Sequence, residues 1–85
     1  MYFTYAIKSL NRNYIYVGIS NNVDRRLLQH NKGHNKSTKP YGPFFLFYIE
    51  QLTNRIDARE REKYLKTASG KRFLKYKLDE FLRSE

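Results

Sequence analysis

The chain has 85 residues, no cysteine and no tryptophan, and its 17 Lys and Arg outweigh 8 Asp and Glu to give a net charge of +9. A chain of this length makes one small domain, residues 1–85, burying about 60–65% of the surface its unfolded form exposes, which leaves no room for an enclosed cofactor cavity. Without cysteine, disulfides and thiolate metal sites are excluded, which fits a reducing cytoplasm. No basic-then-apolar leader opens the chain, and its longest apolar run, "PFFLFYI", is too short to span a bilayer, so a cytoplasmic location away from membranes is expected. The charge points to a polyanionic partner, because each phosphate neutralised releases condensed counterions. A solvated basic surface is the plainer alternative; binding to a membrane surface would call for a more polarised helix.

In chain order, "MYFTYAIKS" is aromatic and β-branched and predicts a first strand over residues 2–9. "LNRN" is turn-like, and "YIYVGI" predicts a second strand over residues 14–19, the two forming a hairpin. Asn21 and Asn22 cap a helix over residues 23–31, with Asp24 complementing its dipole. "KGHNKSTKPYGP" is a basic loop. Pro43 then opens a third strand, "FFLFYIE", whose unbroken apolar character predicts burial on both faces. Asn54 caps a second helix over residues 55–67. Ser69 and Gly70 break the chain before a third helix, in which Phe73, Leu74, Leu78, Phe81 and Leu82 recur at helical spacing. The fold class expected is α/β of the α+β type: a three-stranded antiparallel sheet flanked by helices in the order β-β-α-β-α-α.

One stretch, "YVGISNNVDRRLLQH", crowds chemistry into fifteen residues. A two- or four-residue hairpin loop puts Tyr5 and Tyr16 on one sheet face, whereas a three-residue loop puts them on opposite faces. Gly18 either lets a group approach the backbone or marks a bulge. Arg26 and His30 are four apart on the first helix and lean toward its N-terminus, whose free N–H groups suit a phosphate. Each of these residues also has a plain reading, the tyrosines as packing and Arg26 as a solvated charge. His30 and His34 are four apart with Gly33 between them and no third ligand, so no zinc site is expected. The acids Asp24, Glu50, Asp57, Glu60, Glu62, Asp79, Glu80 and Glu85 do not form the grouping a two-metal nuclease needs. On the second helix Glu62 shares the packed side with Ala58 and Leu65, while Glu60 points to solvent with Arg59 and Lys63. An inward carboxylate on a basic helix calls for a cation, either a metal or Lys66 one turn on.

The residues together resemble the GIY-YIG nuclease family. "FTYAI" stands at the first motif with Tyr5 as its tyrosine, and "YVG" is the second motif, Tyr16 to Gly18. Arg26 follows ten residues after Tyr16, His30 one turn later, and Glu62 in "AREREKYLK" matches the family's metal-binding glutamate. The likeness runs from Phe3 to about Leu74 and is greatest to the small stand-alone bacterial members, including the "KSTKP" loop. Phe3 and Thr4 stand where the first motif has glycine and isoleucine, and no asparagine follows Asn54. The resemblance implies a metal-dependent endonuclease acting on DNA rather than RNA, structure- or damage-directed as in repair or recombination. It implies one Mg²⁺ or Mn²⁺ on Glu62, with Tyr5 as general base, Tyr16 assisting, Arg26 stabilising charge and His30 hydrogen-bonding a tyrosine and shuttling its proton. Arg26, the metal and His30 are expected to lower the Tyr5 pKa. Arg25, Lys32, Lys36, Lys39, Lys66, Lys71 and Arg72, with Lys75 and Lys77, are the residues expected along the phosphate backbone. The alternative is a nucleic-acid-binding adaptor on the same fold with weak or no catalysis. A protein partner or homodimer is not readable from the sequence.

Overall fold

The computed structural model describes residues 1–84, and Glu85, the last of the acids, lies outside them. Strands β1 (Tyr2–Ser9) and β2 (Ile15–Ser20) are followed by helix α1 (Val23–Asn31), strand β3 (Phe44–Leu52) and helices α2 (Arg55–Leu65) and α3 (Ala68–Arg83), with a 3-10 turn at Lys39–Tyr41. The three strands form one antiparallel sheet in the order β2-β1-β3. This is the expected α+β arrangement. Among the described residues no helix is long and apolar enough to cross a membrane.

The middle position of β1 decides where the cores lie. Thr4, Tyr5, Ala6 and Ile7 are all fully buried, because their side chains alternate between two covered faces. Ala6 joins Val17, Phe47, Leu65, Leu74 and Leu78 on the α2–α3 side. Tyr5 and Ile7 join Val23 and Phe44 on the α1 side. The unbroken apolar run of β3 had pointed to that strand as the one buried on both faces. It is instead an edge strand, covered on both sides only over its first half and open at Ile49 and Gln51. A shift of register against β1 falls between Ala6 and Ile7, so Phe45, Phe47 and Tyr48 all reach the α2–α3 side.

The hairpin between β1 and β2 turns through four residues, Leu10 to Asn13, closed by the Ser9 N–H donating to the Tyr14 carbonyl (3.0 Å). Buried Ser9 stiffens it: its Oγ accepts from the Arg12 N–H (3.0 Å) and donates to the Tyr41 carbonyl (2.6 Å). That loop length sets Tyr5 opposite Gly18 and Ile7 opposite Tyr16. Tyr5 and Tyr16 therefore share the α1 face as diagonal, not direct, neighbours. Gly18 sits in unbroken register with β1, so it marks a close approach and no bulge. A Cβ there would lie 2.8 Å from the Tyr5 hydroxyl oxygen and 2.9 Å from the Tyr16 ring.

Helices α1 and α2 start where their asparagines allow. Asn22 Oδ1 accepts from the Arg25 N–H (3.1 Å) and Asn54 Oδ1 from the Asp57 N–H (2.9 Å), each cap contributing about 1 kcal/mol. Helix α2 is fastened to the sheet by Thr4 Oγ1 donating to the Ala58 carbonyl (2.9 Å). The reading of Ser69 and Gly70 as breakers is corrected. Thr67 caps α3 and its Oγ1 accepts from the Gly70 N–H (3.2 Å), so both residues lie in the helix's first turn. Gly70 is there because α3 crosses the end of α2 at close range: a Cβ would run into the Tyr64 carbonyl oxygen and the Leu65 backbone.

Two glycine substitutions test these approaches. Helix propensity alone makes Gly70→Ala stabilising by about 1 kcal/mol. The added methyl meets backbone that cannot rotate away, so the expected outcome is a loss of roughly 2–3 kcal/mol in denaturant unfolding. Gly18→Ala is expected to cost about 1–3 kcal/mol, since Tyr5 is fully buried and has nowhere to move. A shift of the tyrosine ring resonances should accompany it, and unchanged stability in either variant would contradict the packing described.

Candidate functional site

The site is assembled around the phenol of Tyr5. Lying over Gly18, the Tyr5 hydroxyl is 3.0 Å from His30 Nε2, and His30 Nδ1 is 2.9 Å from Thr38 Oγ1. Thr38 Oγ1 also donates to the Asn35 carbonyl (3.3 Å). Its one proton is thereby used, so it accepts from His30 Nδ1–H, and Nε2 accepts the proton of Tyr5. All three side chains are at least 99% buried by area. Burial, followed by the charge of Arg26, lowers the His30 pKa to about 4 and keeps the ring neutral.

Tyr16 completes the aromatic cluster. Its ring centroid is 4.8 Å from that of His30 and 6.3 Å from that of Tyr5. Arg26, half-buried on the same face of α1 as His30, donates from Nη1 to Gln29 Oε1 (2.9 Å). It also acts on the Tyr5 phenol by hydrogen bonding and by charge, both lowering its pKa as expected. The net effect is the reverse of the expectation, however. Burial and then Tyr16 outweigh Arg26, the charge of Glu62 adds to them, and the Tyr5 pKa is raised above 10.0.

Glu62 is on the packed side of α2 as its helical position predicts: its side chain is 15% exposed, against 71% for Glu60. The effect of its charge on Tyr5 places the carboxylate within electrostatic reach of the phenol. Its two oxygens face cations of its own helix, Lys66 Nζ at 3.2 Å and Arg59 Nε at 3.6 Å. Among the described residues no three His, Cys, Asp or Glu are grouped to hold a metal ion. A single carboxylate is a donor set compatible with Mg²⁺, which is commonly held by one or two carboxylates together with substrate phosphates.

The basic residues fall into separate groups. Lys32, Lys36 and Lys39 are exposed around the loop that delivers Thr38 to His30. Lys66, Lys71 and Lys75 line a groove between β2 and α3. Arg25 is exposed at the start of α1 beside Asn21, and Arg72 bonds Ser69 on the exposed first turn of α3. Lys77 does not join the groove lysines: it lies over the Phe73 ring and 3.4 Å from Glu80. Thr38 is the site residue that residue-by-residue reading missed. The only signal for it was its place in a basic loop, since a lone threonine there reads as solvated until the loop is seen to fold onto α1.

Comparison with known proteins bears on the family and the fold. The GIY-YIG catalytic domain model matches residues 1–77. A UPF0213 protein of Oceanobacillus iheyensis is 36% identical over 72 residues, 84% of this chain and 81% of the relative. A UPF0213 protein of Staphylococcus haemolyticus is 35% identical over 75 residues, 87% of this chain and 90% of the relative. The solution NMR structure of a UPF0213 protein from Bacillus halodurans superposes with a TM-score of 0.51 at 27% identity, covering 87% of this chain and 82% of that one. A match across nearly the whole chain, with both motif tyrosines on one sheet face, means that the chain belongs to the GIY-YIG family of nucleases.

Proposed function

We propose that the protein is a divalent-metal-dependent endonuclease that hydrolyses phosphodiester bonds in DNA, directed by strand structure or damage. The observation that carries the reading is the buried chain Tyr5–His30–Thr38 with Arg26 at one end and the Glu62 carboxylate within reach of the phenol. A packing tyrosine needs no such relay, and a buried histidine held neutral is an acceptor aimed at the phenol's proton.

In this reading Tyr5 hands its proton toward His30 Nε2 and takes one from a water as the water oxygen attacks phosphorus. The P–O bond to the leaving strand breaks, the departing oxygen takes a proton from solvent, and the proton held at His30 returns to solvent, which closes the count. Arg26 opposes the charge that builds on the phosphoryl oxygens, and Tyr16 orients the attacking water. A Mg²⁺ held by Glu62 would supply Lewis-acid stabilisation of the phosphate and cancel the carboxylate charge that raises Tyr5.

Magnitudes limit when the relay can work. A phenol above 10.0 facing an imidazole at about 4 leaves full proton transfer uphill by at least roughly 8 kcal/mol, at about 1.36 kcal/mol per pKa unit. The resting pair is therefore a neutral hydrogen bond. Tyr5 becomes a base only when positive charge arrives beside it and outweighs burial. That same gap, with the Lys66 and Arg59 contacts to Glu62, is what favours the second reading, an adaptor that binds nucleic acid and cuts weakly.

Cleavage of branched, flapped, nicked and single-stranded DNA in Mg²⁺ or Mn²⁺ separates the two. The expected result is cleavage that falls about 100-fold or more in Tyr5→Phe and in Glu62→Ala. Glu60→Ala should stay within a factor of about two, because its exposed pair with Lys63 is a surface one. Binding without cleavage on every substrate would establish the adaptor. Cleavage that survives Glu62→Ala would remove Glu62 from the role of metal ligand.

The buried histidine also predicts an acid limb in stability. Its folded pKa of about 4 lies below the ordinary 6.5, so between those values the unfolded chain binds a proton that the folded chain refuses. The contribution is fully present above pH 6.5 and is lost as pH falls toward 4, by up to roughly 3 kcal/mol. Denaturant unfolding between pH 7 and pH 4 measures it. His30→Gln, less stable throughout, should lack that part of the slope.

A further inference from the structure

Beside the phenol cluster lies a groove of about 680 Å³ that the reaction does not use. One wall is β2, which pairs only with β1 and so presents its other edge to the groove. The opposite wall is the end of α2 and the length of α3. Half-buried Tyr14, Ile15 and Tyr16 are its accessible apolar lining, above buried Val17, Leu74 and Leu78; Lys66, Lys71 and Lys75 are its charged groups, and no lining residue is acidic. Tyr16 belongs both to this lining and to the cluster on His30. Groove and candidate cleavage site therefore meet at Tyr16 on the edge strand β2.

We propose that this groove holds an unpaired nucleotide next to the scissile linkage, so that the preferred substrate is a single strand or a flap rather than continuous duplex. The inference rests on the nuclease reading for the meaning of the neighbouring site, but not for the binding itself. Its charge selects the occupant. Lys71 and Lys75, which have no acidic partner among the described residues, suit phosphates, Lys66 is shared with Glu62, and the three together repel a second copy of a chain that carries +9. The apolar lining then selects the state of the strand. Duplex DNA keeps its bases stacked inside and offers this surface only phosphates, which have no use for Tyr14, Ile15 or Tyr16. An unpaired base has a free face to lay on them, while its flanking phosphates meet the lysines. A volume of this order lies in the ~300–1,000 Å³ range of small-molecule sites, ample for one nucleotide.

The test measures binding apart from cleavage, on the full chain in EDTA. Fluorescence anisotropy at fixed salt compares a labelled oligothymidylate, an abasic phosphodiester of equal length and a hairpin duplex. The oligothymidylate is expected to bind about tenfold or more tightly than the abasic strand, with Lys71→Ala/Lys75→Ala weakening both. In parallel, NMR of the unsubstituted protein should show the Ile15 methyl and Tyr14 ring resonances moving with oligothymidylate and staying fixed with the abasic strand. Equal affinity for the two strands, or unmoved resonances, would overturn the proposal and leave the Glu62 and Tyr5 cleavage tests untouched. Shifts of those resonances that follow protein concentration without DNA would assign the groove to a second copy and overturn it too. Base-dependent binding by a protein that cuts nothing would uphold the groove while refuting the nuclease.

Discussion

The close approach of the Tyr5 ring to Gly18 is the constraint on which the candidate site depends. A four-residue hairpin loop sets those two residues opposite each other, and the missing side chain lets the phenol lie across β2. From there it reaches His30 on α1, while Tyr16, two residues before Gly18, closes on the same imidazole. Any side chain at that position would separate the two motif tyrosines. The glycine of the second motif is thus steric in purpose and owes nothing to backbone flexibility.

The same packing produces an electrostatic tension. Tyr5 is fully buried because it sits in the middle strand of a sheet covered on both faces. Burial makes the phenol hold its proton, and it also deprives His30 of the ability to accept one at rest. Arg26 is the only neighbour named here that works in the opposite direction on Tyr5, and alone it is outweighed. In the proposed reaction, further positive charge beside Tyr5 is what would tip this balance toward the phenolate.

Much of this was legible in the sequence because short-range signals decided it. Aromatic and β-branched runs gave β1, asparagine caps gave the starts of α1 and α2, and helical spacing placed Glu62 inward and Glu60 outward. What was not legible depended on partners distant in sequence. An apolar run cannot reveal whether its strand lies in the middle or at an edge, so β3 was read as doubly buried when that place belongs to β1. Gly70 reads as a helix breaker until the end of α2 is seen against it. Thr38 could not be tied to His30 from spacing, because the connection exists only after the loop has folded back onto α1. The direction of the Tyr5 pKa was misjudged for a related reason: the cations are visible in sequence, whereas the depth of burial that outweighs them is not.

Size explains why structure and chemistry overlap so closely here. In 85 residues the interior is too small for a separate site, and Tyr5 and His30 are at once among the largest buried side chains and the centre of the proposed relay. Lys66 shows the same double use at the surface, pairing with Glu62 while lining the groove. A strand that drew Lys66 to a phosphate would withdraw a cation from Glu62, and the freed carboxylate would bind a metal more readily. In the proposed reaction, substrate and metal would then be coupled through one lysine.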